Sequence, residues 1–272
     1  MSKLPIKHWS HSSLVTFLRN PLAWYKRYVE EIYDTPSGPA SIIGKAGHLA
    51  LENFYRGEDK EKSIQLGLLY LKNTPDFEIN FGKAESNREK KKKRLQMEKE
   101  YLQAINFYLS KPPKHKVLGV EVKALAHVEG LKLPIKAVSD LVVESRTKKG
   151  AVDIVDHKFV DSFSSLKGAK SLFVLQAIFN YYTVLETFKR PVENFLVYEC
   201  KKKKNADGSA QLRKYSLKFS EAKDDFRIFH QLLRDATEEI SRPRLYLPNP
   251  TDMFEGENSF DIYRMGLIEE DL

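Results

Sequence analysis

Apolar and polar residues alternate along much of the second half of the chain, with the period of two that is typical of β-strands. Two segments show this alternation, 116–128 and 131–145, and a third predicted strand, 151–160, follows them and begins with an apolar run. Turn-forming residues separate them, Glu129-Gly130 after the first segment and 147–150 after the second. Because strands joined by short turns run in opposite directions, the pattern predicts a meander of three antiparallel strands.

The rest of that half adds helices and two more strands. Residues 171–189 are strongly apolar over about five helical turns and predict a buried helix. Residues 194–202 and 211–219 return to the strand pattern. Residues 220–240 predict an amphipathic helix that Ser220 opens as its N-cap.

Helical spacing dominates the first half. Segment 11–32 predicts two helices, because Asn20-Pro21 interrupts it and proline is well tolerated in a first helical turn. Segment 41–57 predicts a third helix with Gly57 at its C-terminal cap. Residues 60–110 are highly charged and predict further helix.

The order of elements predicts an α/β fold, with a mixed central sheet flanked by helices and an N-terminal helical segment. A chain of 272 residues is long enough to bury a sizeable core. We therefore expect one domain over 1–272, in which 1–115 is the helical part and 116–240 the α/β core. Residues 241–272, which are proline-rich and then acidic, are expected to form a C-terminal tail.

Composition narrows the class of protein. Hydrophobic residues at 42% and charged residues at 30% are typical of a soluble globular protein. No apolar stretch approaches the ~20 residues that span a bilayer, and the first residues lack the apolar core of a signal peptide. The single cysteine, Cys200, excludes an internal disulfide and an iron–sulfur cluster held by several thiolates. We expect an intracellular protein with no membrane partner.

An excess of basic residues suits a polyanionic partner such as nucleic acid. Lysine and arginine number 45 against 37 acidic residues, which gives a net charge of +8. Two dense basic runs, 88–94 and 201–204, contribute to it. Each run is also typical of a solvated helix face or loop, and we place the second in a loop between strands.

Charged residues interrupt two neighbouring apolar strands. Asp140 lies within one predicted strand and Asp156 within the next. Two carboxylates that converge at one end of a hairpin repel each other unless one is protonated or a divalent cation lies between them. His48, on a predicted helix, would complete a His-Asp-Asp set suited to Mg²⁺ or Mn²⁺. Lys158 shares a strand face with Asp156 and could orient a water or neutralise a phosphoryl oxygen.

A purely structural explanation of these residues stays open at this point. His48 would then be an ordinary helix residue, and the two aspartates would be turn carboxylates. Lys158 would be their salt-bridge partner, which is a common arrangement on protein surfaces.

Four motifs, taken in chain order, resemble those of the PD-(D/E)XK nucleases and specifically of their RecB-like exonuclease branch. They are "GKAGHLALE" (44–52), "KAVSDLVV" (136–143), "VDIVDHK" (152–158) and "LQAIFNYY" (175–182). The segment 10–29 is similar to the N-terminal segment of that branch. Asn20 stands where several relatives have a cysteine, so no iron–sulfur cluster is expected.

This resemblance implies a restriction-endonuclease-like core and a set of site residues. It implies four metal ligands, the last through its main-chain carbonyl: His48, Asp140, Asp156 and His157. It implies five residues with catalytic roles, of which the lysine acts on the reacting water and phosphate: Lys158, Asp156, Asp140, Gln176 and Glu121. Candidates for contact with DNA are the basic run and one aromatic residue: Lys90, Lys91, Lys92, Lys93, Arg94 and Tyr181.

The resemblance further implies an exonuclease dependent on Mg²⁺ or Mn²⁺ that hydrolyses phosphodiester bonds of single-stranded DNA or of DNA ends, in repair, recombination or replication. Stand-alone relatives occur in phage and in mitochondria, so the expected location is the cytoplasm or the mitochondrial matrix. A structure-specific DNA endonuclease on the same core and a non-catalytic DNA-binding protein are the alternatives.

Overall fold

A six-stranded mixed sheet runs through the molecule, and helices pack on both of its faces. The structure is a computed structural model that describes residues 4–32, 36–165, 169–206 and 211–249. The strands are β1 (Trp9–Ser10), β2 (Val117–Ala126), β3 (Ile135–Glu144), β4 (Val152–Val160), β5 (Val192–Lys201) and β6 (Leu212–Lys218). The helices are α1 (His11–Arg19), α2 (Pro21–Tyr28), α3 (Pro39–Tyr55), α4 (Lys60–Asn73), α5 (Asn87–Ser110), α6 (Ala169–Phe188) and α7 (Lys223–Ile240). The predicted α/β fold with a mixed sheet flanked by helices is confirmed.

The sheet is built around β3. β2 lies antiparallel along one edge of β3, whereas β1 and β4 share the other edge. β1 pairs in parallel with the beginning of β3, through Trp9 with Ile135 and Ser10 with Lys136. β4 pairs antiparallel with the end of β3. β5 continues the sheet parallel to β4, and β6 is antiparallel to β5.

Side-chain caps mark where several helices begin. The side chain of Ser10 accepts a hydrogen bond from the backbone N–H of Ser13 at 3.2 Å, and α1 begins at His11. Asn20 caps the backbone of α2 in the same way. Ser86 and Glu89 form a reciprocal capping box at the start of α5. Each cap satisfies N–H groups that a helix cannot pair internally, and is worth about 1 kcal/mol.

Two layers of core hold the helices against the sheet. On one face α3, α4 and α5 bury Tyr101 against Leu141 and other strand residues. On the opposite face α6 packs on Val142 and its neighbours, and α1, α2 and α7 pack around Trp24. Burying a large apolar side chain stabilises the fold by about 1.5–3 kcal/mol. Because adjacent residues of β3 enter different clusters, that strand joins the two layers.

The predicted helical region 60–110 is not one helix. α4 ends at Asn73, a single 3₁₀ turn covers Asp76–Glu78, and α5 begins at Asn87. Pro75 explains the break, because proline disfavours the helical backbone in the residue before it and Thr74 is extended.

Two further boundaries differ from the predictions. Ser220 is not an N-cap, since it lies in a 3₁₀ turn and α7 begins at Lys223 with Ala222 in the cap position. β1 was not predicted, because two residues are too short for an alternating pattern to be recognised. Its position is set by the parallel pairing with β3.

The basic run 201–204 does not lie wholly in a loop. Lys201 ends β5, and Lys202 is buried with its ammonium group 2.9 Å from the carboxylate of Asp161. Lys203 lies 3.2 Å from the carboxylate of Glu100, so this run of like charges contains two lysines that are ion-pair partners.

Part of the predicted C-terminal tail packs on α2. Residues 241–249 lack regular secondary structure, and the carbonyl of Leu247 accepts a hydrogen bond from the N–H of Leu22 at 3.1 Å. The ring of Tyr246 stacks on Tyr25 with 4.7 Å between centroids. The rest of the predicted tail lies outside the described residues.

Candidate metal centre and active site

The central feature of the site is a fork between β3 and β4. The two strands pair from Leu141 with Val155 to Glu144 with Val152, and beyond Leu141 they separate. β4 follows β5 from there, whereas β3 runs beside β1. Asp140 lies at the point of divergence, where its Oδ2 accepts a hydrogen bond from the backbone N–H of His157 at 2.7 Å.

The side-chain alternation of β3 is broken at Asp140. Ser139 donates a hydrogen bond to Asn180 of α6 at 2.7 Å, so it lies on the α6 face of the sheet. Leu141 packs in the cluster beneath α3, α4 and α5, although it is only two residues away. Residues two apart on a regular strand share a face. The break leaves Asp140 close to α3, where its Oδ2 lies 3.3 Å from Nδ1 of His48.

The neighbouring strand β2 is irregular at the matching position. Val120 and Val122 pack against clusters on opposite faces of the sheet. Glu121 between them has a φ of 50°, which is uncommon for a residue with a side chain and is found at strained functional positions. The two irregularities lie on adjacent strands, so both carboxylates approach the same part of α3.

His48, Glu121 and Asp140 offer donor atoms that all lie within 4.8 Å of one another. One imidazole nitrogen and two carboxylate oxygens at this spacing can hold a divalent cation. Burial raises the pKa of Glu121, and the negative charge of Asp140 raises it further. Burial alone would lower the pKa of His48, but Asp140 outweighs it and raises that pKa to about 8.

Asp156, Lys158 and Gln176 form a closed triangle beside this set. The ammonium group of Lys158 lies 2.9 Å from Oδ2 of Asp156 and donates to Oε1 of Gln176 at 3.1 Å. Nε2 of Gln176 donates to Oδ1 of Asp156 at 2.7 Å. Burial would lower the pKa of Lys158, but the Asp156 carboxylate raises it, so the lysine stays protonated.

The charge of Asp156 is only partly compensated. Its side chain is 7% exposed, and Oδ2 accepts no hydrogen bond from the described residues despite the nearby lysine. Burial raises the pKa of this carboxyl group against the opposing effect of Lys158, and Asp140 adds to the rise. Lys158 lies 2.9 Å from this oxygen without donating a hydrogen bond to it, so Oδ2 keeps a free acceptor that a divalent metal would occupy. The residues present therefore fit a divalent metal.

His157 contributes more than the main-chain carbonyl that the resemblance implied. Its ring is buried, with Nε2 2.8 Å from the hydroxyl of Tyr108 and Nδ1 3.4 Å from Oδ2 of Asp140. Tyr55 stacks on the ring at 6.0 Å. His48 and Tyr55 are seven residues apart, about two helical turns, so the helical repeat puts both on one face of α3 and is a sequence signal that could have placed Tyr55 near the site.

The basic run on α5 is divided by the structure. Arg94 donates to Asp76 at 2.6 Å and to the carbonyls of Thr74 and Leu71 at 2.5 and 3.3 Å, so it holds the end of α4. Lys93 donates to the carbonyl of Phe81. The side chains of Lys90, Lys91 and Lys92 form no hydrogen bond or ion pair with the described residues. Their contact with DNA stays a prediction.

Tyr181 does not lie beside Gln176. Residues four apart on a helix share a face, and it is Asn180 that lines the same groove as Gln176. The ring of Tyr181 packs against Phe219 and Phe226, at centroid distances of 4.8 and 4.9 Å. Seven of the other predicted residues meet at the fork: His48, Glu121, Asp140, Asp156, His157, Lys158 and Gln176.

No helix within the described ranges is long and apolar enough to cross a membrane. No curated protein matches the chain. Eighteen chains of solved structures match it. One of them, titled "Crystal structure of SSO0001", is 16% identical over 83% of this chain and 86% of that chain, with a TM-score of 0.29.

The family model of the PD-(D/E)XK nuclease superfamily matches residues 8–253, a range that includes α3, both strands of the fork and α6. Such nucleases use divalent metals, and the fork carries donor groups that suit one. The chain therefore belongs to the PD-(D/E)XK nuclease superfamily, which implies nuclease activity on a nucleic-acid substrate.

Proposed function

We propose that the protein is a RecB-like DNA exonuclease that hydrolyses phosphodiester bonds in single-stranded DNA or at DNA ends, with Mg²⁺ or Mn²⁺. One observation carries the proposal. The donor atoms of His48, Glu121 and Asp140 lie within 4.8 Å of one another, beside a buried aspartate–lysine pair. The ordered motifs and the absence of further cysteines support the stand-alone RecB-like branch.

The proposed metal ligands are His48, Glu121, Asp140 and Oδ2 of Asp156, which accepts no hydrogen bond from the described residues. The oxygen-rich character of this set favours Mg²⁺ or Mn²⁺ over softer metals. When bound by these residues, a divalent cation would neutralise charge on the scissile phosphate and would lower the pKa of an attacking water. Glu121 thus moves from the predicted catalytic group to the ligand set, while the main-chain carbonyl of His157 remains a proposed further ligand.

Lys158 is the proposed catalytic cation. Its ammonium group is held between Asp156 and Gln176, so its orientation is fixed before substrate binds. A protonated amine in this position donates hydrogen bonds to the phosphate oxygens that gain charge in the transition state. Gln176 is a positioning residue, because it fixes the lysine and the aspartate together.

His157 is proposed to position Asp140. Its backbone N–H and its ring both approach Oδ2 of that carboxylate, and Tyr108 holds the far ring nitrogen. Partners that orient a ligand in this way typically change metal affinity or activity by ~10–100-fold when removed.

We also propose that the chain is a single nuclease domain. Helices of the N-terminal part and strands of the core share one hydrophobic cluster, which includes Ile43 of α3, Tyr101 of α5 and Val155 of β4. Separation of the two parts would expose that cluster to water.

The test compares linear and covalently closed substrates. Linear single-stranded DNA should shorten to small oligonucleotides with Mg²⁺ or Mn²⁺, whereas closed single-stranded circles should survive because an exonuclease needs an end. The Asp140→Asn protein, purified in parallel, controls for contaminating nucleases. Rapid nicking of circles would favour the endonuclease, and binding without cleavage of any substrate would favour the non-catalytic alternative.

A further inference from the structure

A groove with both polar and apolar lining continues from the fork on the side where β1 lies next to β3. Its volume is about 580 Å³. Gln176 and Asn180 of α6 form its end near the fork, and Ser10 and His11 at the start of α1 line one side. Lys136 of β3 lines the other side. The groove therefore begins at a residue that also contacts Asp156 and Lys158.

Three basic side chains meet in this groove. Lys7, His8 and Lys136 all line it. Burial lowers the pKa of His8, and the charges of Lys136 and Lys7 lower it further, so both lysines lie close enough to act on the His8 ring. In the part of the chain that the structure describes, no carboxylate forms an ion pair with either lysine. Glu31 is the acidic residue among those that line the groove, and it is exposed.

His11 connects the groove to the catalytic cluster. Burial lowers its pKa to about 4, and the positive charge of Lys158 contributes. The ring is therefore neutral near pH 7 and can exchange hydrogen bonds with a bound phosphate or base. It also lies edge-on to Phe179 at 6.4 Å, which fixes its position on the side of the groove.

We infer that this groove binds a backbone phosphate of the nucleic-acid strand, through Lys7 and Lys136 with hydrogen bonds from His8. The inference rests on the proposed function and adds a substrate-binding site to it. Lys136 is four residues from Asp140 along β3, so their Cα atoms lie roughly 13 Å apart. The groove therefore holds a different phosphate from the one at the metal centre. That phosphate is either internal to the strand or terminal.

The test is the double variant Lys7→Ala/Lys136→Ala, placed in the Asp156→Asn background so that the oligonucleotide is not cut. Its matched control is Lys111→Ala/Lys149→Ala, which removes two exposed lysines outside the groove. Fluorescence anisotropy with a labelled single-stranded oligonucleotide gives Kd at several salt concentrations. We expect Kd to rise about ten-fold and the slope of log affinity against log salt to fall by about 0.7, because the groove neutralises one phosphate of a single strand.

Substrate ends distinguish the two sources of the phosphate. If the loss of affinity disappears on an oligonucleotide without terminal phosphates, the groove binds a terminal phosphate. If the loss is equal on phosphorylated and unphosphorylated ends, it binds an internal one. A Kd and a salt slope equal to those of the control on every substrate would overturn the inference.

The proposed function can fail separately. In the otherwise unmodified protein, Lys7→Ala/Lys136→Ala should raise KM about ten-fold and leave kcat and Mn²⁺ affinity within about two-fold, since neither lysine contacts the metal ligands. If the parent protein never cleaves DNA but the double variant binds DNA more weakly than the parent, the groove inference stands and the proposed nuclease activity is wrong. Normal cleavage by the double variant, with unchanged KM and Kd, would overturn the groove inference and leave the proposed activity standing.

Discussion

The fork and the basic run 88–94 are both rich in charge, yet their charged residues lie in opposite environments. In the fork, the side chains of Asp140 and Asp156 are only 14% and 7% exposed. In the run, Lys91 and Lys92 are exposed, and Arg94 is held by the end of α4.

The difference shows which kind of charge indicates chemistry. Burying a charge costs several kcal/mol unless it is paired or bound to a metal, so an incompletely paired aspartate needs a reason to be inside. An exposed lysine stays hydrated, so its charge costs almost no free energy and needs no functional explanation. Density of like charge along a helix is thus weaker evidence for a site than two or three charges inside a sheet.

The largest expected effect is the loss of a ligand from the fork. Asp140→Asn and Asp156→Asn should each reduce the cleavage rate by more than ~100-fold, because the loss of a residue that only orients a ligand typically costs ~10–100-fold. Each variant should also bind Mn²⁺ more weakly in calorimetry. The fold should remain intact, because these carboxylates serve the metal.

Asp153→Asn is the matched control on the same strand. Asp153 is equally buried but accepts hydrogen bonds from Asn194 at 2.8 and 3.1 Å. Its variant should lower the free energy of unfolding and leave Mn²⁺ affinity unchanged. Equal cleavage by the Asp140 or Asp156 variants and the parent would contradict the site.

Removal of the lysine should have the next largest effect. Lys158→Ala should lower the rate of the chemical step by ~10²–10³-fold, as the loss of one transition-state donor does, while Mn²⁺ and DNA still bind. Lys202→Ala removes a lysine that pairs with Asp161 and should instead affect stability. Single-turnover cleavage and anisotropy separate the two outcomes, and a Lys158→Ala protein that no longer binds DNA would make the lysine a binding residue.

A smaller effect is expected from α3, whose packing positions His48. A Cβ added at Gly47 would lie 2.2 Å from the ring of Phe159, so helix or ring must move. We expect Gly47→Ala to weaken Mn²⁺ binding about ten-fold. A Cβ at Gly44, one turn earlier, meets nothing within 4 Å. Gly44→Ala should therefore stabilise the protein by up to about 1 kcal/mol and leave metal affinity unchanged.

The smallest effect is expected from the basic run itself. If Lys90, Lys91 and Lys92 contact phosphates, their replacement by alanine lowers the salt slope by up to about 2, at ~0.7 per contact. The chemical step on bound DNA should not change. Arg94→Ala should instead lower the free energy of unfolding by about 1–2 kcal/mol, because it holds helix-end carbonyls. An unchanged slope in the triple variant would remove this run from the DNA-binding surface.

The sequence by itself determined the elements and the most local part of the site. The two alternating segments became β2 and β3, the third predicted strand became β4, and the apolar segment near 171–189 became α6. Asp156 and Lys158 could be paired because residues two apart on a regular strand share a face, which is a local rule. The spacing of His48 and Tyr55 on one helix face follows from the helical repeat in the same way.

Only the tertiary structure decided which residues meet. Glu121 lies near His48 and Asp140 because its own φ is positive in β2 and because the side-chain alternation of β3 is broken at Asp140. Both features depart from the regular strand period, which is all that a sequence pattern can indicate. Likewise, β1 takes its place from pairing with β3, and Arg94 donates hydrogen bonds to carbonyls at the end of α4, which lies about 20 residues earlier in the chain. Such features arise when strands and helices pack, because contacts between distant segments then outweigh the local preferences of each segment.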